Sequence, residues 1–505
     1  MRASCPRRSH RLGSLLLFFV VMAVSALPNR PSQSTFFPRP GKRLETKTSD
    51  LLDADGDAEA RLLPASSPLR GGAVDTRTGG GRDARRMFVF AFTYCAYCAI
   101  YLVRKPVSVV KPYLQAELGA STSQLAAVDS AWLVAYAAGQ LGLGAMRSAA
   151  DPSTLLFLAF LGAGITTALC ATATSTVSLA LLWGANGLCQ ACANPLLVLH
   201  VASMYAADRR ASAVGAWQTS QQIGGVAANL FAAYVLGRSG WRAIFALAGC
   251  LVAAVAGPLR AVANDASVVV AETPRAAAAV DKARRPAATD PLALLRMRGV
   301  PSVAAAYFIV KMVRYCMMFW LPFFLVKAAG LDAGEAAKLA TLLDLGGAAG
   351  GVVVGLVADR AAGGAMILAC APFCLATAVG LAVHANFYEK GVAANALCML
   401  LVGFCVAAPD GVLGGAVSRN LCEYNEVEDV GRVAPAVAGV VNGCGSLGAI
   451  LQGFGTAYLV AALGWRGLFF TLASLMTLAF FLLIPAVKLE AAALARRRDD
   501  LALDT

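Results

Sequence analysis

Four basic residues stand where a lipid-facing helix would not hold them. Arg314 has twelve mostly apolar residues on either side, so its guanidinium has no short route to water. Lys311 lies three residues earlier, on the same helical face. Arg104 and Lys105 come late in another apolar run, with Val107 to Val110 continuing beyond them. A charge at the bilayer centre costs about 2.5–3.5 kcal/mol on insertion scales, so it persists where it pairs, faces water or binds something. Guanidiniums present forked donors that fit phosphate oxygens. Tyr97 and Tyr101 precede Arg104 by seven and three residues, and their hydroxyls would donate to the same anion. Ordinary helix packing is the plain alternative for both tyrosines. The interior acids are Asp129, Asp344 and Asp410. Asp344 is expected to neutralise Lys105, Arg104 or Lys311 when no anion is bound. Asp129 is nearer a helix start, where a cap or packing role also explains it. Asp410 follows Pro409 and suits an unwound turn.

The elements that must position these charges are membrane helices. The 505 residues are 58% hydrophobic and 14% charged, against roughly 25% charged in soluble domains. A span needs about 20 apolar residues. Twelve are predicted: 87–105, 125–146, 154–174, 178–204, 213–236, 241–262, 302–326, 336–358, 365–385, 392–417, 434–461 and 466–487. Lipid cannot satisfy an open backbone, so the fold class is an all-α membrane protein. The net charge of +13 sits mostly in loops and tails flanking the spans, which points away from nucleic acid. The 14 cysteines lack metal-ligand spacing and read as free thiols, and the three histidines form no cluster. No metal or cofactor is expected. Neither a nucleophile–base pair nor a phosphate-cradling glycine loop stands out, so no enzyme is expected.

Residues 1–26 read as a signal peptide: Arg2, Arg7, Arg8 and Arg11, an apolar stretch from Leu12 to Val24, and a Val24-Ser25-Ala26 cleavage site. Residues 27–86 form a transit-like, disordered leader. Arg82, Arg85 and Arg86 before span 1, and Arg496, Arg497 and Arg498 after span 12, put both ends of the core on the cytosol-like side. A cleaved secretory signal would leave the N-terminus in the lumen. Re-import into a plastid envelope removes the conflict; an uncleaved anchor in a secretory-pathway membrane is the alternative.

An internal repeat divides the core. Gly240-Trp241-Arg242-Ala243-Ile244-Phe245 and Gly464-Trp465-Arg466-Gly467-Leu468-Phe469 are offset by 224 residues, and the same offset pairs Gly215 with Gly439 and Gly224 with Gly448. This predicts pseudo-symmetric six-helix halves at 87–262 and 301–487, a central loop at 263–300 and a tail at 488–505. Spans 1 and 7 then correspond, and Arg104 and Arg314 face each other across the pseudo-two-fold axis. Two guanidiniums need an anion to share one dry site, and phosphate supplies about two negative charges.

Parallel six-helix halves resemble the major facilitator superfamily. Gly355-Leu356-Val357-Ala358-Asp359-Arg360 is similar to its gating-loop motif, in which Gly355, Asp359 and Arg360 carry the signature. The counterpart Gly142-Leu143-Gly144-Ala145-Met146-Arg147 lacks the Asp. Arg104-Lys105-Pro106-Val107-Ser108-Val109-Val110-Lys111 closely resembles span 1 of the organophosphate:phosphate antiporters, nearest to the sugar-phosphate exchangers and glycerol-3-phosphate permeases of eukaryotes. The segments Asp129 to Tyr136, Trp183 to Gln190, Trp320-Leu321-Pro322 and Thr341 to Gly347 are similar to the same family.

The resemblance implies exchange of an organic phosphate for inorganic phosphate by alternating access. It puts the family's binding arginines on Arg104 and Arg314 and its span-8 acid on Asp344. Gln221 stands where bacterial members have a histidine, and Gln140 where they have a lysine. The expected substrate contacts are Arg104, Arg314, Lys105, Lys311, Tyr97, Tyr101, Gln221 and Gln190, with Asp344 and Asp129 in charge pairing or coupling. Expected partners are a phosphorylated small molecule, inorganic phosphate and the lipid bilayer, with a monomer as the working unit. Two alternatives stand: a proton-coupled symporter of another organic anion, with Asp129 or Asp344 as carrier, and a non-transporting sugar-phosphate sensor.

Overall fold

The computed structural model describes residues 76–205, 207–268, 291–360 and 364–503. The signal peptide, most of the leader and most of the central loop lie outside the described residues. All twelve predicted spans fall on helices. Span 1 comprises Thr76–Ile100, a 3-10 turn at Tyr101–Val103 and Pro106–Leu118. Span 2 is Thr122–Ala149, span 3 Pro152–Cys170, and span 4 the pair Thr176–Gln190 and Ala193–Ser203. Spans 5 and 6 fill Ala207–Gln218 and Ser220–Ala263. In the second half, span 7 is Val300–Lys327, span 8 Ala333–Arg360 and span 9 Met366–Phe387. Span 10 runs through Val392–Gly411, a π-helical turn at Val412–Ala416 and Val417–Tyr424; spans 11 and 12 share Val430–Leu503.

The repeat has the same backbone in both copies. Gly240 (φ 76°, ψ 177°) breaks the helix between spans 5 and 6, and Gly464 (φ 70°, ψ −179°) breaks it between spans 11 and 12. Side chains avoid this region, which is essentially glycine's alone. The chain reverses at each point: span 6 runs back along span 3, with Arg242 bonding the Ala173 carbonyl and Gly249 against Ala168. Span 12 returns until Leu489 reaches Gly299 at the start of span 7.

Close packing is equally duplicated. Gly224 of span 5 lies against the Cys98 backbone of span 1, and Gly448 of span 11 against the Phe308 backbone of span 7. Cys98 to Phe308 and Arg104 to Arg314 share one offset, so the arginines occupy equivalent positions. Between spans 8 and 10, added Cβ atoms at Gly346, Gly350 and Gly403 would fall 1.9–2.1 Å from backbone oxygens. Small residues at these points allow helix backbones to approach.

Four boundaries differ from expectation. Span 1 begins at Thr76 inside the expected disordered leader and runs on to Leu118, because Arg104-Lys105-Pro106 interrupts the helix without ending it. The Gly355–Arg360 motif is the last turn of span 8 rather than a loop. Its Asp359 and Arg360 side chains lie outside the described residues, and a Cβ at Gly355 would meet open space. Past Val487 the expected tail continues span 12. There Glu490 is fully buried and accepts hydrogen bonds from the Leu368 amide (2.8 Å) and the Tyr424 hydroxyl (3.2 Å), capping span 9 from outside it.

The halves meet on one side of the site. Among the described residues, contacts between them include Trp132 with Phe319, Lys111 with the Trp320 ring, Gly453 with Ser130 and the Ala126 carbonyl, and Gly334 with the Ala233 carbonyl. Lys111, Phe319, Trp320 and Gly334 lie toward the ends of spans 1 and 7 and the start of span 8, away from the chain's entry into span 1.

Candidate functional site

The site begins with two broken helices. Proline has no N–H and clashes with the preceding turn, so Pro106 opens span 1 just after Arg104 and Lys105. In span 4, Pro195 follows a break at Ala191 and Cys192, leaving Gln190 at a helix end. The breaks meet: the Arg104 Nε donates to Gln190 Oε1 at 3.0 Å, and Gln190 Nε2 donates to the Val103 carbonyl at 3.1 Å. Gln190 also donates to Asn186 Oδ1 (2.6 Å), which accepts from the Trp132 indole (3.0 Å). Asn186 in turn donates to Thr167 and the Ala163 carbonyl. The chain of bonds fixes the guanidinium from span 3 inward.

Arg104 is 5% exposed and sits 5.0–5.4 Å from the ring centroids of Tyr101, Trp132 and Tyr136. Such contacts stabilise a desolvated cation by ~2 kcal/mol. Among the described residues, its Nη2 is buried without a hydrogen-bond partner, and its one side-chain acceptor is a neutral amide. Tyr101 donates to Gln221 Oε1 (3.2 Å), and Gln221 Nε2 donates to Gln218 (2.8 Å). Tyr97 packs against Trp217, tilted by 30° with centroids 4.9 Å apart, and lies beside Asn194. Tyr101 and Tyr315 each neighbour both arginines, Arg104 and Arg314.

The second half supplies different partners. Arg314 Nε lies 3.0 Å from Asp410 Oδ2, and the two side chains are 17% and 23% exposed. Asp410 is therefore the counter-ion of Arg314 rather than a turn device, although it does precede the π-helical turn. Lys311 donates to Asn442 Oδ1 (2.8 Å) and Ser446 Oγ (3.2 Å) of span 11. Lys105 is ion-paired with Asp344 across the halves, and Asn229 donates to the same carboxylate at 3.2 Å. Of the three cations named for Asp344, it takes Lys105. Gly225 leaves no room for a Cβ beside that carboxylate.

Asp129 does not reach this cluster. Its Oδ2 accepts from Lys111 at 2.6 Å, both side chains are fully buried, and Lys111 also donates to the Phe319 carbonyl of span 7 at 2.9 Å. The ammonium sits 3.8 Å from the Trp320 ring centroid. This pair closes the bundle on the side where the halves meet. Sequence reasoning passed over Lys111 as a binding or gating residue. Its signal was weaker than that of Arg314: Val107 to Val110 precede it, but Gln115 and Glu117 follow within six residues. Asn229, Trp132 and Tyr136 were also missed as neighbours of the charges, and no sequence signal separates them from ordinary core positions.

The cluster can hold an anion. Lys105–Asp344 and Lys111–Asp129 are internally neutral, and Asp410 offsets Arg314. Arg104 and Lys311 hold neutral acceptors, an excess of two positive charges.

Comparison with known proteins agrees with this architecture. Residues 93–421 match the Major Facilitator Superfamily. "Putative glycerol-3-phosphate transporter 2" of Arabidopsis thaliana is 26% identical over 82% of this chain and 88% of its own. The glucose-6-phosphate exchanger SLC37A2 of Mus musculus is 24% identical over 80% of this chain and 92% of its own. A solved bacterial homolog of the human lysosomal transporter Spinster has the same fold (TM-score 0.59, 17% identity), covering 81% of this chain and 97% of that one. The chain belongs to the Major Facilitator Superfamily, with glycerol-3-phosphate transporters and glucose-6-phosphate exchangers among its relatives.

Proposed function

We propose that this protein carries an organic phosphate, a glycerol or sugar phosphate, across its membrane in exchange for inorganic phosphate. The observation that carries the proposal is Arg104: a buried guanidinium with one free nitrogen, a neutral amide partner and no carboxylate. Burying a charge is costly unless it is paired. A phosphate dianion bridging Arg104 and Arg314 would supply the missing acceptors and cancel the two excess charges. The relatives named for glycerol-3-phosphate and glucose-6-phosphate favour the same cargo.

Exchange follows from the same charges. Without an anion, reorienting the halves would carry Arg104 through a closed, dry intermediate unneutralised; with either phosphate bound, the intermediate is neutral. Tyr101, Gln221 and Gln218 form a hydrogen-bonded row beside Arg104 and suit the hydroxyls of a polyol. Contacts between the halves, with Lys111 among them, join the ends of spans 1 and 7. The bipartite leader suggests a plastid envelope, testable by import of a leader–fluorescent protein fusion.

The test is uptake of labelled glycerol-3-phosphate and glucose-6-phosphate into proteoliposomes. Loading with inorganic phosphate should accelerate uptake of at least one of them over empty vesicles. Uptake that ignores internal phosphate and follows an imposed pH gradient would overturn exchange in favour of proton coupling.

A further inference from the structure

Resting on that proposal, we infer that Asp410 is an internal competitor of the cargo: the carboxylate a phosphate must displace from Arg314 to bind, and the group that returns to release it. The two halves hold equivalent frames with unequal chemistry. Span 4 meets span 2 where Gly187 abuts the Trp132 carbonyl, and span 10 meets span 8 where Gly403 abuts the Leu343 carbonyl. That correspondence places Asp410 opposite Asn194. Tyr97 lies beside Asn194 and Tyr307 beside Asp410, and these tyrosines share the offset of Arg104 and Arg314. An amide in one half is thus a carboxylate in the other.

The asymmetry has a consequence for binding. The Arg104 Nε rests on a neutral amide, and its Nη2 has no partner. Arg314 already holds an anion at 3.0 Å, partly open to water. A phosphate that grips Arg104 and takes the Arg314 fork through its Nε must take that Nε from Asp410. The backbone around Asp410 suits movement. It lies between Pro409 and a π-helical turn containing Gly414 and Gly415, with Gly411 beside it, and single π turns inside α-helices are frequent at functional sites. Lys311 is a neighbour of Asp410 and gives the displaced carboxylate a second cation. Release reverses the exchange, with no proton or covalent step.

The experiment compares wild type and Asp410→Asn in full-length protein reconstituted with internal inorganic phosphate. The half-saturation concentration for external phosphate should fall about tenfold, equivalent to ~1.4 kcal/mol. Maximal exchange should fall with it, since a more tightly held anion leaves more slowly. Asp410→Glu, which keeps the carboxylate, should hold half-saturation within about twofold of wild type. Asp410→Ser supplies the same readout if the asparagine variant fails to insert. An unchanged or raised half-saturation in a folded Asp410 variant overturns the inference while leaving exchange standing. Wild-type protein that exchanges no phosphate overturns the transport proposal instead.

Discussion

Asp129→Ala would leave the Lys111 ammonium fully buried, with the Phe319 carbonyl and the Trp320 ring as its polar and aromatic neighbours. Removing one partner of a buried ion pair costs about 3–5 kcal/mol. That cost falls on the closed arrangement, because separation of spans 1 and 7 at this end would return Lys111 to water. At 1.4 kcal/mol per tenfold, even the lower figure shifts the equilibrium about 100-fold toward opening on the side now closed. Hydrogen exchange of the full-length protein reads this directly: amides in 107–118 and 319–331 should exchange faster in Asp129→Ala. The double variant Lys111→Met/Asp129→Leu removes both charges and should restore protection, since a well-packed apolar pair can replace a buried ion pair without loss. Unchanged exchange in Asp129→Ala, or equal loosening in the double variant, would refute the reasoning.

Other outcomes follow from the same geometry. Arg104→Lys and Arg314→Lys each lose forked donation and should weaken phosphate binding by about 2–3 kcal/mol, measured by titration of purified protein. Gly464→Ala puts a side chain at φ 70°, ψ −179° and should cost about 1–3 kcal/mol, seen as a lower Tm. Asp151 caps span 3 through the Thr154 amide, and its hydrogen bonds from Ser153 and Thr154 hold the carboxyl well below the usual range. A depressed pKa contributes stability above the unfolded value that is lost as pH falls. The Tm advantage of wild type over Asp151→Ala should therefore shrink as pH falls below ~4.

The membrane class and the halves were legible because their causes are local. Apolar length marks a span, and the Gly-Trp-Arg repeat sits where a reversal requires glycine's backbone. The arginines were legible because charges inside apolar runs are rare. Their partners were less so. Asp344 was expected to neutralise Lys105, Arg104 or Lys311 with no choice among them, and Asp410 and Arg314 meet through the packing of spans 7 and 10, which no spacing encodes. Lys111 and Asp129 are only eighteen residues apart, yet they lie on different helices and meet by tertiary geometry. Span 1 looked shorter than it is because Arg-Lys-Pro reads as a helix end. The helix resumes because proline is tolerated at the first position of a new one.

The central claim is that inorganic phosphate is a cargo held by the paired arginines. Its most direct measurement is labelled phosphate self-exchange in proteoliposomes with the pH gradient collapsed. Exchange should be rapid for wild type, need phosphate on both sides, and fall to the level of protein-free vesicles in Arg104→Gln. No phosphate exchange in folded wild-type protein, or full exchange in Arg104→Gln, would contradict it.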